Sequence, residues 1–185
     1  QRQEPDGRWV RVPIGSALGT SVRVTLEPGA TTRFRVRAVD GAGTWSRWAT
    51  GPAVTTELVD DADARVERTA DAWTETADPT AIAETLAVAG STGATASLTF
   101  DGSGVAVIAP RVPGNGKADI VLDGVRVRTI DLGASPGGGT LPAPVAQQVV
   151  YAASWPTAGP HTVAIVVRGT PGRPAVSLDA FRILD

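Results

Sequence analysis

The chain has 185 residues, of which 42 % are hydrophobic and 19 % charged, and its formal net charge is −2. Such a composition supports a buried core rather than disorder, and a near-neutral charge gives no electrostatic footprint for nucleic acid. The absence of Cys excludes disulfides, thiolate chemistry and Cys-based metal sites, and no apolar run approaches the ~18 residues that cross a bilayer as a helix, so membrane insertion is not expected.

Strand signals dominate from the start. Val22–Leu26 and Phe34–Ala38 alternate apolar and polar residues, which places one face on a core and the other in water. Pro28-Gly29 and Asp40-Gly41 punctuate them as turns. Residues 1–57 make a first domain that ends after Trp48–Val54. Residues 58–63, with Asp60, Asp61 and Asp63, read as a short solvated linker. A new pattern opens at Ala64-Arg65-Val66-Glu67 and fills 64–185 without internal repeat. Pro79 to Ala87 is its one helix-compatible segment, weakened by threonines. Further on come strand-like runs at Thr95–Phe100, Val105–Ala109, Lys117–Leu122, Val125–Leu132, Gln148–Ala153, His161–Arg168 and Val176–Leu184. Asp123-Gly124 between two of these runs is the strongest short-range hairpin signal in the chain. The expected fold class is all-β: two β-sandwich domains, the first incomplete and the second an antiparallel jelly roll.

Catalytic chemistry is thinly represented. His161 is the single histidine; just after Gly159-Pro160 it reads as a loop or strand-edge residue, since a triad or metal site needs partners within reach. The Gly-rich stretch 136–140 is followed by Leu-Pro-Ala-Pro, so it cannot open a helix and cradles no phosphate. No nucleophile elbow, zincin or Walker signature occurs. Paired carboxylates are not recognisable by spacing alone, and the chain reads as non-catalytic.

Leu26-Glu27-Pro28-Gly29-Ala30-Thr31-Thr32-Arg33-Phe34-Arg35-Val36-Arg37-Ala38, followed by Asp40-Gly41-Ala42-Gly43-Thr44-Trp45-Ser46, resembles the E–F corner, strand F and F–G turn of a fibronectin type III domain. Two departures matter. The family has a Tyr where Thr32 stands, and its hydroxyl anchors the corner. The family also runs to about 90–100 residues, whereas the first domain here has 57, so the resemblance implies that strands A and B are missing. Three explanations stand open. Upstream residues exist in the parent protein, as the lack of an initiator Met suggests; a neighbouring subunit donates the strands; or the second domain covers the open face.

The second domain carries Ala94–Phe100, Gly104–Pro110, Gly116–Gly124, Gly159–Val163, Gly169–Pro171 and Val176–Phe181 in an order that resembles the galactose-binding-like, carbohydrate-binding-module-like jelly roll at the C-terminus of many secreted actinobacterial proteins, often directly after a fibronectin type III domain. The resemblance implies an extracellular, secreted parent with room for a catalytic domain upstream. Candidate ligand-binding residues are Trp73, Tyr151 and Trp155, whose rings could stack on a sugar, and Arg111, which could clamp a carboxylate or hydroxyl; each has a structural reading beside the functional one. The resemblance also brings a candidate structural Ca²⁺, with Glu67 and Asp179 at comparable places, against a turn-anchoring role for Asp179. Scarcity of Asn, Lys, Cys and Met fits a thermostable protein and a GC-rich genome equally.

The leading expectation is therefore a non-catalytic accessory module that binds polysaccharide, cell-wall glycan or another cell-surface partner. The alternative is a structural subunit or spacer of a cell-surface assembly, completed by strands of a neighbouring chain. No nucleic-acid partner is expected.

Overall fold

In the computed structural model, which describes residues 1–185 other than Ala17, Thr20 and Arg23, every strand pairing among the described residues is antiparallel. The protein is all-β and divides into two units, Gln1–Glu57 and Leu58–Asp185.

The first unit holds β1 (Arg2–Gln3), β2 (Trp9–Val10), β3 (Thr31–Val36) and most of β4 (Ala49–Asp60), in the order β2-β1-β3-β4. The expected strand Val22–Leu26 does not form: its described residues lie outside any strand, Val22 is 48 % exposed, and Arg23 lies outside the described residues. Alternation alone cannot make a strand whose backbone has no neighbouring ladder. Thr32 and Thr56 are the only buried side chains among the described residues of this unit. Each spends its hydroxyl on backbone: Thr32 Oγ1 donates to the Gln3 carbonyl at 2.6 Å and Thr56 Oγ1 to the Glu27 carbonyl at 2.9 Å. The Thr32 hydroxyl thus ties β3 to β1, not to the backbone of the 26–30 turn.

Aromatic and cationic side chains hold this unit where an aliphatic core is thin. The Arg35 guanidinium lies 4.3 Å from the ring centres of both Trp9 and Trp48. That of Arg37 lies 4.2 Å from Trp45 and 4.4 Å from Trp48. Three indoles and two cations therefore alternate in one stack, which the quadrupoles of the rings favour.

The second unit is a two-sheet sandwich. Its larger sheet runs β10 (Val125–Asp131), β9 (Lys117–Leu122), β11 (Val145–Val167), β8 (Thr95–Arg111), β13 (Ala180–Leu184), with β5 (Val66–Arg68) also on β8. The smaller runs β12 (Val176–Leu178), β7 (Thr85–Ala89), β6 (Trp73–Ala77). Inward residues of both sheets, among them Leu98, Val107, Ile120, Val163, Ile165, Val176, Leu178 and Phe181, form one core. Alternation along β8 and β9 dictates which side chains enter it.

Several expected pairs of short runs fuse. Thr95–Phe100 and Val105–Ala109 are one strand, β8, because Gly102 and Gly104 lack the side chains that would strike β13. Gln148–Ala153 and His161–Arg168 are likewise one strand, β11, with a register shift between Ser154 and Gly159. Val176–Leu184 instead divides at Asp179: β12 pairs with β7 and β13 with β8, so the chain changes sheets there. The Asp123-Gly124 hairpin is present, with φ of 50° and 79° at its two central residues, the positive values that a twist-matched two-residue turn requires.

One expectation is met in part and one is corrected. Pro79 to Ala87 contains only a 3-10 turn at Ile82–Glu84, with Ala83 and Glu84 at left-handed φ of 49° and 61°, which no α-helix continues; Thr85 onward joins β7. Residues 58–63 are not a solvated linker. Val59 and Asp61 are fully buried, and the Asp61 N–H donates to the Asp179 carbonyl at 3.0 Å. β4 carries the alternation as far as Asp60 and turns Val59 inward, and Asp61 is buried in the turn that follows.

Candidate functional site

The candidate residues spread along β8 instead of converging. Trp73, at the start of β6, donates its indole N–H to the Thr95 carbonyl at 2.9 Å, at one end of β8. Half-buried and packed on the core, it braces the two sheets with the one donor it has. Arg111 closes the other end of β8. Its Nη1 donates to the carbonyls of Asp131 and Ala134 at 2.6 and 2.7 Å, so it fastens the loop after β10, and burial lowers its pKa. Tyr151 pairs with Val107 and packs on the core. Val107 itself is fully buried.

Trp155 is likewise half-buried and packed against the core, but it sits at an irregularity of the sheet. Between Ser154–Gly104 and Gly159–Gly102 pairings, β11 carries extra residues that β8 does not match, and Trp155 opens that bulge. Bulges re-aim side chains at sheet irregularities. The Trp155 indole stacks on the His161 imidazole, with centres 3.6 Å apart and planes 11° from parallel. Phe100 tilts against both, at 6.3 and 6.0 Å.

His161 is then fixed from its other side. It pairs with Phe100 in the ladder, and its Nδ1 lies 2.8 Å from Asp123 Oδ2. Asp123 Oδ1 accepts the Thr162 N–H at 2.8 Å, and the Asp123 N–H donates to the Thr162 carbonyl at 2.8 Å. The Thr162 N–H, followed by the His161 contact, holds the Asp123 carboxyl below the usual carboxylate range. The Asp123 side chain is 46 % exposed and that of His161 17 %. A flat aromatic pair with a solvent-facing carboxylate beside it is chemistry that grips a polyhydroxylated, partly apolar ligand. Among the described residues the imidazole is hydrogen-bonded to Asp123 and to no hydroxyl. The sequence reads His161 as a loop or strand-edge residue and Asp123 as a hairpin turn, but nothing in it relates that turn to a histidine 38 residues on.

The candidate calcium pair is not brought together. Glu67 is exposed on β5 opposite Ser97. Asp179 is fully buried; its Oδ1 accepts the Ile82 N–H at 2.9 Å, and its Oδ2 has no hydrogen-bond partner. Its charged neighbours are Asp60, Asp61 and Asp78, not Glu67. Among the described residues no three His, Cys, Asp or Glu groups gather as a ligand set. No helix is long and apolar enough to cross a membrane.

Neither protein-family models nor curated proteins match this chain. Solved structures do. A two-domain esterase active on acetylated mannans matches at a TM-score of 0.53 and 14 % identity, over 71 % of this chain and 36 % of that one. A family two carbohydrate esterase from Cellvibrio japonicus matches at 0.49 and 18 %, over 71 % and 34 %. The CBM36-1 domain of a multidomain xylanase from the hindgut metagenome of Trinervitermes trinervoides matches at 0.45 and 15 %, over 70 % and 96 %. The chain spans about a third of the length of the two esterases. At such identities the likeness is one of fold.

Proposed function

We propose that the protein is a non-catalytic, carbohydrate-binding accessory region of an extracellular protein. The observation that carries this reading is the Trp155–His161–Asp123 cluster: an indole held parallel to an imidazole at 3.6 Å, with an exposed carboxylate 2.8 Å from the ring nitrogen. Its parts are pre-set by the ladder and the hairpin, so little ordering cost falls on binding. The β-sandwich shared with part of an esterase active on acetylated mannans agrees with it at the level of fold. The non-catalytic part rests on His161, whose partners are a carboxylate and an indole face, with no nucleophile in its hydrogen-bond shell among the described residues.

The test is affinity electrophoresis of the 185-residue chain in gels containing mannan, xylan or soluble cellulose. At least one polymer should retard it, and Trp155→Ala should weaken that retardation about tenfold, the ~1.4 kcal/mol that one stacking partner supplies. Unchanged mobility in every polymer overturns the binding reading. Release of acetate from acetylated mannan overturns the non-catalytic one.

A second reading has its own observation. The first unit buries only Thr32 and Thr56 among its described residues, while Leu18, Val36 and Val39 are 91 %, 68 % and 49 % exposed. Strands donated by a neighbouring chain would cover them, making the protein a structural subunit or spacer. Sedimentation decides between the two: association that grows with concentration favours assembly, and a persistent monomer retires it.

A further inference from the structure

We infer that the first unit carries a separate binding site for an acidic polysaccharide, in which Trp45 stacks on a uronate ring and Arg37 grips its carboxylate. The inference is independent of the Trp155 cluster and starts from the Trp–Arg stack. Trp48 lies between two guanidiniums, Arg35 and Arg37, each within 4.4 Å of its ring centre. Trp45 is a terminal ring: Arg37 covers one of its faces, and the residue is still 54 % exposed. An indole with one face backed by a cation and the rest in water is a platform that needs no rearrangement to receive the apolar face of a pyranose.

Arg37 supplies the charge. Its guanidinium is exposed, sandwiched between Trp45 and Trp48, and among the described residues it meets no carboxylate and no hydrogen-bond acceptor. Rings above and below a planar guanidinium leave its N–H donors pointing outward in the plane, where a carboxylate accepts two of them at once. Arg35, the other cation of the stack, is instead spent on the Gln1 side-chain oxygen at 2.8 Å.

The surrounding charge agrees. Residues 1–57 hold eight arginines against five acidic residues. Two of those acids are paired locally, Glu4 with Arg2 and Asp6 with Arg8, and Asp40 spends its Oδ1 on the Ala42 and Thr44 N–H groups. An anionic polymer therefore finds attraction here, whereas the second unit, with nine basic residues against fourteen acidic, repels it. A single-stranded nucleic acid fits less well, because it needs a run of open rings and the stack closes both faces of Trp48.

The test is affinity electrophoresis of the whole chain in polygalacturonate, with uncharged galactan as control. Retardation should be specific to polygalacturonate, fall as salt is raised, and weaken about tenfold with Trp45→Ala and with Arg37→Gln. Trp155→Ala should leave it unchanged. A measurement without substitution guards against misfolded variants: polygalacturonate should slow the oxidation of Trp45 by N-bromosuccinimide, read by peptide mass mapping. Four results each overturn the inference. They are no retardation, retardation with Trp45 left unprotected, tighter binding of oligo-dT than of polygalacturonate, and protection of Trp45 that grows with protein concentration alone, which would assign the face to a second copy.

Discussion

The Asp61 N–H donates to the Asp179 carbonyl at 3.0 Å, and the side chains of both residues are sealed from solvent. Asp179 stands where the chain passes from β12 in one sheet to β13 in the other, so this contact seams the entry of the second unit to its final strands. Arg68 is the seam's cation. It donates to the Asp61 carbonyl and lies 3.5 Å from Asp61 Oδ2.

The seam is expected to weaken as pH rises. Burial, reinforced by the neighbouring Asp60 carboxylate, pushes Asp61 up to about 6, against the pull of Arg68. Burial also pushes Asp179 up to about 6, against the Ile82 N–H. Both values exceed the ~3.9 of an unfolded Asp, so the native state holds protons that the unfolded state has lost. Their contribution is complete below pH ~4 and disappears as pH passes about 6. The unfolding free energy should fall by about 2 kcal/mol for each of the two carboxyls between pH 4 and pH 7, measured by urea titration across that range. Asp179→Asn should remove much of the slope. A stability that is flat or rising over the interval would show that the pair ionises freely.

Gly102 and Gly159 face one another in the β8–β11 ladder but differ in room. A Cβ on Gly102 would lie 2.8 Å from Ile183 Cγ2 and from the Leu184 carbonyl, while one on Gly159 meets nothing within 4 Å. Gly102→Ala should cost about 1–3 kcal/mol by forcing β13 away, and Gly159→Ala should stay within about 0.5 kcal/mol. Equal losses in thermal unfolding would mean that β13 gives way easily.

Strand positions in the second unit were legible because period-two alternation and Asp-Gly turns are local signals. Their fusion into β8 and β11 was not: Gly102 and Gly104, a residue type that ordinarily marks turns, lie within β8 and let β13 approach. The burial of Asp61 was hidden for the opposite reason: an acidic run looks solvated, yet Asp61 is buried in the turn that follows β4. In the candidate site, Trp155 was visible as an aromatic, but the pairing of His161 with Asp123 is set by the fold of a distant hairpin. The Trp–Arg stack had a local trace in the alternating arginines 33, 35 and 37 and in Trp45-Ser46-Arg47-Trp48. Reading that trace requires knowing that β3 and the residues before β4 present one face together.

Thr32 tests how the first unit coheres. Its hydroxyl bond to the Gln3 carbonyl is one of very few buried contacts there. Thr32→Val keeps the shape and removes the donor, leaving a carbonyl unpaired at a cost of about 1–2 kcal/mol. Amide exchange should quicken across β1 and β3, with β8 and β11 unaffected. Exchange unchanged in β1 would mean that the Trp–Arg stack alone holds these strands.

Asp123 tests whether Trp155 is pre-set. Its carboxylate ties the β9–β10 turn to the Thr162 N–H and to His161, each at 2.8 Å, and its backbone holds a positive φ of 50° that Asn tolerates and Ala does not. Asp123→Asn should therefore keep the hairpin and stability within about 1 kcal/mol, retaining one acceptor for Thr162. Asp123→Ala should lose both side-chain bonds, release His161 and broaden the near-ultraviolet circular dichroism of the stacked Trp155. Glycan binding through Trp155 should then decline in the same order, Asp123→Asn before Asp123→Ala. If the alanine variant keeps both its aromatic signal and its binding, the indole is positioned by Phe100 and the bulge without help from the turn.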